Sequence, residues 1–151
     1  MEAQPTDPHP SPFGPIVRAA MVGTAAGLRS ATPPAVVYRN AKGPLPAILA
    51  VMAAGELIAD KLPQTPARTF LPALIFRAVT AGISGREVAV RNDGNAAAGI
   101  AVAAIAALAS TYAGFGLRMY LTEATALPDF VIAALEDGFT LLLAYGADAA
   151  P

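Results

Sequence analysis

The sequence predicts an all-α integral membrane helical bundle, and three observations carry that expectation. The chain of 151 residues is 55% hydrophobic and only 14% charged, against about 25% charged residues in an ordinary soluble domain. One stretch, Gly94 to Leu117, runs for 24 residues between Asp93 and Arg118 without a charge. As a helix it is about 36 Å long, more than the roughly 30 Å of a hydrocarbon core. It also lacks the continuous polar face of a soluble amphipathic helix, because Ser110, Thr111 and Tyr112 are the polar residues of Ala96–Ala113 and cluster at one end. An Ala-rich soluble bundle is the competing reading, since Ala favours membrane insertion only weakly. That missing polar face tells against it.

The same composition closes several functional classes. The length allows one domain. With no Cys, thiolate zinc sites, iron–sulfur clusters, thiol nucleophiles and disulfides are excluded, and the single His, His9, leaves no basis for a His-dependent triad. Ten basic and 11 acidic residues give a net charge of −1, so nothing suggests a nucleic-acid surface. Gly114-x-Gly116 lacks the length and the Lys-Ser/Thr of a phosphate loop. No catalytic pair, metal set or cofactor site is expected.

Taken in order, residues 1–14 form a Pro-rich leader that cannot bury a core. Without a basic n-region it does not read as a signal peptide. Residues 15–147 are expected to form a single transmembrane domain of four or five apolar segments, with 148–151 as a tail. Pro15–Tyr38 reads as a broken helix, because Pro33-Pro34 removes two donors and drives Thr32 from the helical region. Leu45–Asp60 is a second helix, stopped at Pro63. Thr69–Ser84, holding Pro72 and Arg77, is short for a span and reads either as one or as a re-entrant or interfacial helix. Arg86–Asn95 reads as a solvent loop. Helices follow from Ala96 to about Tyr120 and from Pro128 to Tyr145.

A weak internal repeat runs through this order. Gly27-Leu28-Arg29, Leu45-Pro46 and a helix with Glu56 and Asp60 are echoed by Gly116-Leu117-Arg118, Leu127-Pro128 and a helix with Glu136 and Asp137. The halves are inverted if Thr69–Ser84 spans and parallel if it does not. With five spans the basic residues divide five against four between the two sides, which leaves the orientation open.

Charges inside apolar segments cost on the order of 3 kcal/mol each and therefore meet partners or water. Glu56 and Asp60, four apart, share one helix face, where two carboxylates can pair with cations, bind a hard cation or accept a proton. Glu136 and Asp137 follow the same logic, although neighbours on a helix point in different directions. Arg29 and Arg118 each follow Gly-Leu at or near a predicted break, placed to cap freed carbonyls or to bind an anionic substrate or lipid headgroup. Arg68 and Arg77, flanking Pro72 near Phe70 and Phe76, suit the headgroup interface. Gly23-x-x-x-Gly27 and the ladder Gly99, Ala103, Ala107 permit close helix packing and, by the same geometry, a homo-oligomer.

The run Gly27-Leu28-Arg29-Ser30-Ala31-Thr32-Pro33-Pro34 and, more specifically, Ala54-Gly55-Glu56-Leu57-Ile58-Ala59-Asp60-Lys61-Leu62-Pro63 through Thr69 resemble a group of small bacterial membrane proteins, the domain of unknown function 4126 family. Arg77 with Gly82 and Gly85, Leu127-Pro128-Asp129 and Ala134-Leu135-Glu136-Asp137-Gly138 extend the likeness over about Gly23–Gly138. The resemblance implies a multi-pass protein of a bacterial inner membrane and brings no activity with it. The sequence thus points to a small transporter or channel-like protein whose partners are the lipid bilayer and an ion or small-molecule substrate, with carboxylates handling a proton or cation and arginines orienting an anionic group. The alternative is a non-catalytic scaffold or lipid-interacting subunit whose charges are structural ion pairs. An intramembrane enzyme ranks last, for want of a nucleophile–base pair.

Overall fold

A computed structural model describes residues 14–59, 70–125 and 127–149. Among them the chain is all-helical: α1 (Pro15–Leu28), α2 (Thr32–Val37), α3 (Leu45–Ala59), α4 (Leu71–Arg91), α5 (Ala96–Ala124) and α6 (Asp129–Asp148). Residues 1–13 of the 1–14 leader lie outside the described residues, as do Asp60 and Arg68.

Helices α4, α5 and α6 run alternately along the molecule, and α1 lies in the angle between them, packed on all three. Helix α1 enters from the end where Pro15 meets Gly94, here the proximal end, and stops halfway. At 1.5 Å per residue its 14 residues reach about 21 Å. The Thr111 hydroxyl, midway along α5, reaches the Gly27 carbonyl near its tip. Helix α2 then turns back. Val37 packs with Val22, and Val36 with Ala25, so α1 and α2 form an antiparallel hairpin that begins and ends at the proximal end. Helix α3 climbs beside it, packing mainly on α2.

The break falls earlier than the prolines suggest. Arg29 is extended (φ −137°, ψ 106°), whereas Pro33 and Pro34 sit in the first turn of α2, where a missing N–H costs nothing because no helical acceptor exists for it. The dipeptide therefore starts the return helix rather than only ending α1, and Thr32 is its first residue. A second correction concerns Arg86–Asn95. Helix α4 continues to Arg91 with Val88 and Ala89 buried, leaving Asn92–Asn95 as the turn. Asn95 then caps α5, its side chain accepting from the Ala98 N–H at 2.9 Å.

Burial is inverted relative to a water-soluble bundle. Beside a few valines, Leu28 and Ile132, the buried positions are mostly small, polar or charged: Ala103 is 0% exposed, Arg29 2% and Arg77 5%. The large apolar side chains point outward, with Ile105 67% exposed, Leu142 68% and Phe130 71%. Gly23 lies so close to Ala103 that a Cβ there would stand 2.2 Å from its carbonyl oxygen, and Gly85 meets Gly99 in the same way. Both small-residue ladders are thus occupied within the chain. Among the described residues two helices, α5 and α6, are long and apolar enough to cross a membrane. Helices α1 and α3 are shorter, with 14 and 15 residues, and α4 carries Arg77, Arg86, Glu87 and Arg91.

Candidate functional site

The hairpin tip gathers the buried charge. Breaking the helix at Arg29 strips partners from the last carbonyls of α1 and the first N–H groups of α2, and side chains from three other helices supply them. Arg77 of α4 donates through Nη1 to the Gly27 carbonyl at 2.6 Å and to that of Ala26 at 3.3 Å. Thr111 of α5 donates to Gly27 at 3.0 Å and Ser110 to the Thr24 carbonyl at 3.0 Å. On the return side the Glu56 carboxylate accepts from Ser30 N at 2.8 Å, Ala31 N at 2.8 Å and Ser30 Oγ at 2.7 Å. A cation thus caps the negative end of α1 and an anion the positive end of α2, the arrangement helix dipoles favour. Arg77 Nη2 lies 3.9 Å from Glu56 and joins the two caps. Arg29 turns to the opposite side, donating through Nε to Asp137 of α6 at 2.6 Å.

Apolar clefts flank this core. One of about 360 Å³ separates α3 from α4, lined by Pro34, Leu49, Met52, Phe76 and Ile83. Another, of about 320 Å³, separates α5 from α6 beside α1, lined by Leu28, Leu117, Leu121, Ile132, Leu135 and Phe139. Arg118 stands on the second, donating to Asp129 through Nε at 3.1 Å and Nη2 at 2.7 Å, with Glu136 3.8 Å from Nη1. The second cleft therefore has an arginine–glutamate pair, Arg118 and Glu136, at its rim.

At the proximal end a second polar network ties the helix ends together. Asp148 accepts from Arg39 and from Arg91, the latter at 3.0 Å, while Arg91 also donates to Glu87 at 2.9 Å. Arg39 lies over the Tyr145 ring and Arg91 over that of Tyr38. Arg18, buried in the first turn of α1, donates to the carbonyls of Ala147 (2.9 Å) and Ala149. Burial, with the nearby Glu87 carboxylate adding to it, pushes the Tyr38 phenol above its ordinary value of 10.0.

The sequence-derived candidates thus fall into two groups. Arg29, Glu56, Arg77 and Asp137 come together at the tip, whereas Arg118 and Glu136 meet at the distal cleft. Arg77, read as an interfacial residue, is buried in the core and does the carbonyl capping expected of Arg29. Arg118 sits inside unbroken α5, not at a break, and it meets carboxylates. The halves also pair differently: Arg118 meets Glu136, while Arg29 meets Asp137 rather than Glu56. Glu136 and Asp137 point apart, each to its own arginine. Sequence reasoning missed Ser30, Thr111, Arg18 and Asp148. Ser110 and Thr111 did carry a signal, as polar residues of an otherwise apolar stretch.

No family model, curated protein or solved structure matches the chain. The geometry of the tip therefore carries the functional reading by itself.

Proposed function

We propose that this chain is a multi-pass helical protein of the cell membrane that moves a proton or small cation, with the Glu56 carboxylate at the hairpin tip as its switch. The membrane reading is supported by the inverted burial, since packing of Gly, Ala, Ser and Thr inside and Leu, Ile and Phe outside suits helices surrounded by lipid. In that setting α4, α5 and α6 cross, and the α1–α2 hairpin re-enters from the proximal end. A non-helical turn at such depth is tolerated where protein satisfies its backbone groups, as Glu56, Arg77 and Thr111 do here.

A single observation carries the transport reading: one carboxylate, on a helix that leans mainly on α2, accepts three hydrogen bonds from the turn and faces Arg77 across 3.9 Å. Protonating Glu56 removes its charge and weakens both the hydrogen bonds and the pull on Arg77. That loosens α3 from the tip and opens the α3–α4 cleft toward it. Discontinuous helices with their ends at mid-depth are a recurrent way of building such ion sites. The experiment is proton flux into proteoliposomes under an imposed membrane potential. Wild-type protein is expected to conduct and Glu56→Gln to lose conduction while remaining folded; absence of flux in the wild type refutes the reading.

The matching of buried carboxylate to guanidinium at the tip favours a second reading, a scaffold in which Arg29–Asp137 and Arg77–Glu56 only lock helices. Flux in Glu56→Gln equal to wild type, with lowered thermal stability, would establish it.

A further inference from the structure

We infer that the proximal end faces the cytoplasm and rests against the anionic headgroups of that leaflet, with the ends of α1 and α6 on the same side; this rests on the membrane reading above. If every apolar segment crosses, the basic residues divide almost evenly between the sides. The hairpin changes the division. Because α1 and α2 enter and leave by the same end, Arg18 and Arg39 lie on one side together with Lys42, Arg86 and Arg91, and all five fall within two turns of a proximal helix end or on the turn after α2. Arg29 and Arg77 are withdrawn to the tip, where their partners are internal, so neither counts toward a side. The distal end retains Arg118, and the connection from α3 to α4 contributes Lys61 and Arg68 by sequence.

Lys and Arg in short loops near helix ends set orientation toward the cytoplasm, whereas Asp and Glu count little. The acidic residues Glu87, Asp93 and Asp148 at the proximal end therefore do not cancel its basic excess. The negative surface potential of the cytoplasmic leaflet acts in the same direction. Arg39 over Tyr145 and Arg91 over Tyr38 add tyrosines at the level where headgroups lie.

The chain has no Cys, so single-cysteine variants need no background removal. Asn40→Cys at the proximal end and Leu127→Cys at the distal end replace exposed, uncharged residues. With a membrane-impermeant maleimide on intact bacterial cells expressing each full-length variant, Leu127→Cys is expected to label and Asn40→Cys only after permeabilisation. The reverse pattern overturns the inference, and so does labelling of both positions in intact cells. Moving the basic excess, by Lys42→Gln and Arg86→Gln with Glu123→Lys, is expected to make part of the Asn40→Cys population label from outside. An unmoved pattern sinks the charge argument. Release of the protein from membranes by carbonate instead refutes the membrane reading itself, a result that labelling cannot be confused with.

Discussion

The proximal and distal halves of the bundle share α4, α5 and α6 but pack on opposite rules. Proximally, α1, α4 and α5 approach at backbone distance through Gly23, Gly85, Gly99 and Ala103. Distally, beyond the hairpin tip, α1 has ended and nothing replaces it. Helices α5 and α6 diverge around an apolar cleft lined by Leu117, Leu121, Leu135 and Phe139; Gly114 still meets Leu28 at the tip, but a Cβ added at Gly116 or Gly138 would stand in open space. The difference teaches that glycine in this chain is a packing device only where the hairpin fills the angle. The half-length helix makes one end a dense block and leaves the other splayed, and the buried charge sits at the boundary.

Four substitutions test that contrast, the largest effect first. Arg77→Ala leaves the Ala26 and Gly27 carbonyls without their cation and Glu56 without its guanidinium, and should destabilise by about 3–5 kcal/mol; chemical unfolding in detergent measures it, with Arg77→Lys recovering part. Gly23→Ala forces a methyl group into the Ala103 backbone and should cost about 3 kcal/mol, whereas Gly138→Ala, in open space on the distal half, should stabilise by about 0.5–1 kcal/mol. Equal losses at the two glycines would erase the distinction between the halves. Arg118→Ala removes a bridge whose Asp129 partner is solvent-facing and should shift stability by less than about 1 kcal/mol; a loss as large as that of Arg77→Ala would show the distal half to be as tightly held as the tip.

The smallest effect concerns Tyr38, which lies beyond α2 at the proximal end. Its phenol titrates higher in the folded state than in the unfolded one, so the unfolded chain releases that proton first as pH rises. Stability is then unaffected below pH 10.0, the ordinary value, and falls as pH climbs from there through the folded value. Thermal unfolding across that alkaline window should show the fall in wild type and a shallower one in Tyr38→Phe.

Much of the architecture was legible in the chain itself. The uncharged run after Asp93 became α5, the stretch from Pro128 became α6, and Pro33-Pro34 marked a helix interruption, because length, charge-free composition and missing N–H groups act locally. The site was legible as a set of residues and not as a set of contacts. Glu56, Arg29, Arg77 and Asp137 stood out because charge in an apolar segment demands a partner, yet Arg29 was expected among backbone carbonyls and Arg77 at an interface. Arg77 takes the capping role because it occupies the α4 face that meets the α1 terminus, a fact of helix register across 50 residues that no local pattern contains.

The sequence by itself therefore determined that the chain is helical, that its long helices are apolar, that the first helix breaks, and that a few charges must be internal, since each follows from the chemistry of a short window. The tertiary structure decided that the broken helix folds back instead of continuing, which arginine caps it, and which basic residues share an end. Those outcomes depend on which surfaces come within about 3 Å of one another, the range over which a hydrogen bond discriminates between partners, and only the assembled bundle sets that distance.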